Sequence, residues 1–154
     1  VERLRRLKYD YFNDVSRYES EVCLGLKDWV NRLSGALKQG LVLVMDYGYI
    51  AREYYHFDRG YGTLMCYYQH RGHANPFLLV GLQDITASVD FSLLSRCAVE
   101  AGFSVAGFTT QAAFLINNGL LQLMEECYST VASSGDINRQ GHCLTSPNEM
   151  GELI

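Results

Sequence analysis

Two acidic clusters carry the residues best suited to chemistry. Asp46 closes the apolar run Leu41-Val42-Leu43-Val44-Met45 and opens the turn Asp46-Tyr47-Gly48-Tyr49. In open α/β sheets, ligands bind outside the carboxyl ends of the strands. Asp46, Tyr47 and Gly48 stand at such an edge; on local pattern alone a strand cap followed by a turn is the simpler reading. The second cluster runs from Gly81 to Phe91 and holds Asp84, Thr86, Ser88 and Asp90. Two carboxylates there can orient a cationic substrate, or one can act as a base. Turn and cap roles are the alternative, and Asp90 reads as a helix cap.

His56, His70 and His73, with Asp58 nearby, raise the question of a metal. The spacing His-x13-His-x2-His matches no ligand pattern with a mechanical rationale, so neutral loop histidines are expected and no metal is assigned. Cys127 and Cys143 lack a recognisable base for a nucleophilic role. No Ser elbow, phosphate loop or GxGxxG occurs. The tyrosines can stack on an adenine or a peptide side chain, although aromatic residues more often fill cores.

Composition bounds these readings. The 154 residues are 48% hydrophobic and 19% charged, with a net charge of −4. That is the profile of a globular chain of about one domain. The acidic balance argues against a broad phosphate-binding surface, so nucleic acid is not an expected partner. The longest aliphatic run has five residues, against ~20 for a membrane span. No secretory signal is visible. Five scattered cysteines without a CxxC pair read as reduced thiols, and a cytoplasmic, bacterial-type location is expected.

The elements that must position these residues follow from periodicity. Leu26, Trp29, Val30, Leu33 and Leu37 lie on one helical face, and Gly40 suits the helix end. Leu41 to Met45 reads as a strand buried on both faces. From Tyr47 to Tyr68 lies a stretch with seven of the eleven tyrosines. It is read as a long loop in which Thr63 to Tyr68 can form a short strand, and His70 to Gln83 as a second loop. Leu93, Leu94, Cys97, Ala98 and Ala101 mark a helix capped by Asp90 or Ser92 and ended by Gly102. Phe103 to Phe108 is a second strand candidate. Two helices, 109–118 and 120–132, flank Gly119, and 133–142 reads as a polar loop. Ser146-Pro147-Asn148-Glu149 has the form of a capping box. Val1 to Lys8 reads as a solvated basic run within an incoming segment, 1–18.

Read in order, several segments resemble one family. They are Asp46-Tyr47-Gly48-Tyr49, Gly62 to Arg71, Pro76-Phe77, Gly81 to Phe91, Gln111 to Leu115 with Gly119, and Ser146 to Leu153. Together they resemble the MidA-type S-adenosylmethionine-dependent methyltransferases over residues 18–154. The resemblance implies an α/β fold of the class I methyltransferase, Rossmann-like type. In it Leu41–Met45 is the fifth strand and Phe103–Phe108 the sixth, with substrate-side loops over 47–89. It implies S-adenosylmethionine as cofactor, a protein acceptor, and arginine N-methylation linked to respiratory complex assembly. A homodimer is left open. The family's glycine-rich cofactor loop, its acidic ribose residue and its Asn-Glu…Asp-Ala-Leu-Pro motif are not in this sequence. Ser88 stands where bacterial relatives commonly carry His.

The chain therefore reads as a single partial domain, the carboxyl half, with a last strand beyond Ile154 inserting antiparallel between the fifth and sixth. By itself it is expected to be inactive. The resemblance assigns Asp46 and Asp84 to the acceptor's charge, Thr86 and His70 to its orientation, and Tyr47 and Gly48 to the border of the cofactor or substrate channel. Two readings compete with the enzyme: a non-catalytic assembly module derived from a methyltransferase half, and a metal-dependent hydrolase using the loop histidines.

Overall fold

The computed structural model describes residues 18–130, 134–147 and 153–154. It falls into two units. One takes in the chain up to Lys38 together with Gly48–Phe103; the other takes in Gln39–Tyr47 and Ser104–Ile154. The basic segment Val1–Lys8, and Asn148 and Glu149 of the expected capping box, lie outside the described residues. Secondary structure is α/β, with one parallel and one antiparallel sheet.

In the first unit, helix α1 (Leu26–Ala36) and helix α3 (Phe91–Glu100) pack together. Val30 and Cys97 are buried, and Ser34 Oγ donates to the Ala101 carbonyl at 2.7 Å. Asp90 does cap α3: its Oδ1 accepts from the Leu93 N–H at 2.9 Å. The helix closes as the sequence suggests. Gly102 adopts φ +93°, and the N–H groups of Gly102 and Phe103 reach back to Val99 and Ala98 at 3.1 and 3.0 Å. Only a residue without a Cβ takes that conformation at no steric cost.

Strand β1 (Gly48–Tyr49) lies parallel to β5 (Val89–Asp90). Gly48 is dictated by space. A Cβ there would run into the Val89 carbonyl and come within 2.6 Å of the Phe91 ring. Gly48→Ala in the full-length protein is therefore expected to destabilise it by roughly 1–3 kcal/mol, read by denaturant unfolding. An unchanged midpoint would show that β1 and β5 separate freely.

The aromatic stretch after β1 is mostly packing. The short helix α2 (Ala51–Tyr54) begins with the Ala51 N–H on Ser92 Oγ at 2.9 Å. Tyr54 and Tyr55 are buried edge to face, with ring centroids 4.8 Å apart. Burial pushes the Tyr54 hydroxyl above its ordinary range, although a hydrogen bond with Thr63 opposes this. A 3₁₀ turn (Phe57–Arg59) follows, and Arg59 lies over the Tyr49 ring at 4.1 Å.

The short strand allowed for at Thr63 to Tyr68 is present over Met65–Tyr68, and the stretch read as a second loop contributes a further strand, Arg71–His73. Strands β2 (Met65–Tyr68), β3 (Arg71–His73) and β4 (Asp84–Thr86) form an antiparallel sheet in the order β3-β2-β4. Cys66, at its centre, is fully buried.

The two expected strands are corrected. Neither Leu41–Met45 nor 103–108 is a strand, and the apolar run is not buried: Leu41 is 78% exposed and Leu43 55%. An apolar run becomes a strand only where another backbone pairs with it. Among the described residues, Asp46 pairs, exchanging both backbone bonds with Ile154 at 2.9 Å each, as in an antiparallel pair. The Leu153 carbonyl accepts from the Gln111 N–H.

Helices α4 (Gln111–Asn117) and α5 (Leu120–Thr130) fall where the sequence places them, α4 being capped by Thr110 Oγ1. The expected polar loop over 133–142 is instead helix α6 (Ser134–Thr145). Its inner face includes Gly141, where a Cβ would lie 2.5 Å from Met124 Cε. A glycine at the contact hides the apolar periodicity while permitting close approach. Buried Gln111 joins α4 to α6, its Nε2 donating to the Leu144 carbonyl at 3.1 Å. The Ser146 N–H closes α6 on the His142 carbonyl at 2.8 Å.

Candidate functional site

The antiparallel sheet carries a cavity of about 680 Å³ lined by Tyr67, Gln69, His70, Asp84, Ile85 and Thr86. Three of the four residues proposed for the acceptor, His70, Asp84 and Thr86, therefore share one wall. Strand register brings them there. Met65 opposes Thr86 and Tyr67 opposes Asp84, and residues two apart on a strand face the same way. Thr86 Oγ1 donates to the Met65 carbonyl at 3.4 Å. Asp84 makes no side-chain hydrogen bond or ion pair among the described residues, so its carboxylate is free to receive a cation.

His70 is presented by backbone strain. The connection from β2 to β3 is the two-residue turn Gln69-His70, with φ +48° and +63°. Two central residues with positive φ define a type I′ turn, which ordinarily selects Asn-Gly. Side chains beyond Cβ cost of order 1 kcal/mol or more there. Replacing Gln69-His70 by Asn-Gly is expected to stabilise the full-length protein by roughly 1–2 kcal/mol. Thermal unfolding would check this, and an unchanged midpoint would show that the turn stores no strain.

Asp46 lies in the other unit. Its Oδ1 accepts from the Tyr47 N–H at 2.7 Å and its backbone pairs with Ile154. Asp90 serves as the helix cap, and its Oδ2 is buried with no partner among the described residues. The histidines stay apart: His56 Nδ1 is 3.3 Å from Asp58, and His73 Nδ1 accepts from the Asn75 N–H. Among the described residues, no group of three His, Cys, Asp or Glu side chains is placed to hold a metal ion.

One residue that supports the site was missed. The Glu21 carboxylate accepts from Thr63 N, Thr63 Oγ1 and Leu64 N at 2.8, 3.1 and 3.1 Å. Thr63 Oγ1 in turn accepts from the Ser88 N–H at 3.0 Å. Thr63 precedes β2 and Ser88 follows β4, so this clasp closes one end of the antiparallel strand pair that carries Asp84. Nothing around Glu21 in the sequence signals it, because its partners lie 42 and 43 positions away.

A family model described as "Putative S-adenosyl-L-methionine-dependent methyltransferase" matches residues 2–109. The chain belongs to the MidA-type methyltransferase family. This MidA-type chain is 32% identical over 115 residues to "Protein arginine methyltransferase NDUFAF7 homolog, mitochondrial" of Drosophila melanogaster, covering 73% of the chain and 24% of the relative. It is 30% identical over 148 residues to "Protein arginine methyltransferase NDUFAF7, mitochondrial" of Xenopus tropicalis, covering 91% and 32%. Two crystal structures from Burkholderia thailandensis are similar at 36% identity. A native structure has TM-score 0.84 over 99% of this chain and 40% of that one. The other, bound to S-adenosyl-homocysteine, has TM-score 0.83 over 99% and 39%. The chain thus spans a third or less of the length of these curated relatives and about two fifths of the solved ones.

Of the residues expected to border the cofactor, Gly48 has its Cβ space filled by Val89 and Phe91 of the same unit, and Tyr47 belongs to the other unit. Neither residue lines the cavity on the antiparallel sheet.

Proposed function

We propose that this MidA-type chain supplies the acceptor side of an S-adenosylmethionine-dependent protein arginine N-methyltransferase, set in a class I, Rossmann-like sheet. The unpaired Asp84 carboxylate on the cavity wall, with Thr86 and His70 beside it, carries the reading. A guanidinium is planar and presents paired N–H donors that match a carboxylate. Asp84 holds two of those N–H groups and the charge. Thr86 and His70 fix the remaining edge, so that one nitrogen is aimed away from the wall. Methyl transfer to nitrogen is an in-line displacement, and its rate depends on such alignment. The similarity to the Drosophila and Xenopus protein arginine methyltransferases supports arginine, and the Burkholderia complex with S-adenosyl-homocysteine supports the cofactor. Respiratory complex assembly is the setting that the family resemblance adds.

The test is transfer from methyl-labelled S-adenosylmethionine by the full-length protein to an arginine-containing peptide, followed by acid hydrolysis. Labelled methylarginine is the expected product. Label on lysine or on a carboxylate, or none at all, would remove the assignment.

A further inference from the structure

Tyr67 occupies the middle of this site and has no part in the reading above. It is the central member of a row across the sheet, with Gly72 opposite on β3 and Asp84 opposite on β4. Gly72 leaves room for it. A Cβ on Gly72 would lie 3.3 Å from Tyr67 Cε1, 3.7 Å from its Cδ1 and 3.3 Å from Met65 Cε. The tyrosine ring therefore leans across the sheet onto the glycine, as aromatic residues do when they cover a cross-strand glycine. Gly72 is not among the residues with positive φ, so the backbone does not require glycine there; what glycine provides is a seat. Tyr67 is nonetheless 41% exposed and lines the cavity with Asp84.

A carboxylate beside a held aromatic ring attracts a cation twice, through charge and through the ring quadrupole. The two attractions are met together by a flat, weakly hydrated cation whose donors lie in its own plane. A guanidinium can rest on the ring while its fork meets the carboxylate; an ammonium is a compact, strongly hydrated point charge. Tyr67 thereby favours the planar ion over the compact one.

We propose that Tyr67 is the platform on which the acceptor's guanidinium lies, seated on Gly72 and flanked by Asp84, and that it sets the preference for arginine over lysine. This rests on the acceptor-side reading above. The test uses the full-length protein and two synthetic peptides, Gly-rich and identical except for one central arginine or lysine. Binding is read by fluorescence anisotropy in saturating S-adenosyl-homocysteine, and transfer by labelled S-adenosylmethionine. Tyr67→Leu is expected to weaken binding of the arginine peptide roughly 3- to 30-fold and to raise KM by the same factor. Its kcat should stay within about twofold. Tyr67→Phe keeps the ring and should match the unmodified protein. Gly72→Val keeps the tyrosine but removes its seat, and should behave like Tyr67→Leu; it also decides the matter if Tyr67→Leu does not fold. Both damaging variants should lose discrimination against the lysine peptide.

Equal binding of the arginine peptide by Tyr67→Leu and the unmodified protein overturns the platform. So does Tyr67→Phe behaving as badly as Tyr67→Leu, which would assign the hydroxyl instead of the ring. An unmodified protein that neither binds nor methylates the arginine peptide overturns the acceptor reading itself, and the platform with it.

Discussion

Asp84→Asn in the full-length protein is expected to lower methyl transfer roughly 30- to 1,000-fold while S-adenosylmethionine binding stays within about twofold. The substitution conserves shape and removes charge. Asp84 makes no side-chain hydrogen bond or ion pair among the described residues, so its loss breaks no internal pairing of its own. It stands on the exposed face of β4, and its backbone pairing with Tyr67 survives the change. The effect should therefore fall on the acceptor. A cation desolvated against an amide loses a charge-assisted hydrogen bond and keeps the cost of leaving water. Initial rates over a range of peptide concentrations, with calorimetric titration of the cofactor, would measure both quantities. If the two fall together, acceptor and cofactor do not occupy separate regions as argued. If neither moves, Asp84 is only the first residue of a short strand.

The 154-residue polypeptide expressed by itself is expected to associate in solution and to bind S-adenosylmethionine without saturation. Leu41, Val42, Leu43 and Met45 are all exposed, as are Val105 and Phe108. Burying a side chain of this kind contributes ~1.5–3 kcal/mol, and a domain's whole stability is ~5–15 kcal/mol. Leaving several of them in water is a large fraction of the total. Unpaired apolar backbone also templates pairing with another copy. A second patch points the same way: Phe77 is 85% exposed, and Leu78, Leu79, Val80 and Leu82 are exposed beside it. Light scattering against concentration and dye binding to apolar surface would register the association. A monomer with one sharp thermal transition would show that the antiparallel sheet and the helices around Gln111 hold the polypeptide without further chain. Saturable micromolar binding of cofactor would overturn the expected inactivity.

What the sequence determined by itself was the set of features whose causes lie within a few residues. Helices α1, α3, α4 and α5 follow from apolar residues three and four apart, which meet on one face whatever surrounds them. Asp90 caps, and Gly102 ends, helix α3, because each acts on backbone groups one turn away. The acidic residue at position 84 and its hydroxyl neighbour Thr86 were legible as chemistry for the same reason. Tertiary structure decided everything that depends on pairing at a distance. The run Leu41–Met45 has the composition of a strand, yet a strand requires a partner backbone, and composition names none. Strands β2, β3 and β4 are only three or four residues long, and their turn uses Gln-His where Asn-Gly would have announced it. Asp46 and Asp84 looked equivalent in sequence, but they fall in different units. Tyr67 becomes a neighbour of Asp84 only through strand register. A slip of one residue would turn its ring to the opposite face, and that register is held by contacts such as the clasp of Glu21 on Thr63 that no local pattern encodes.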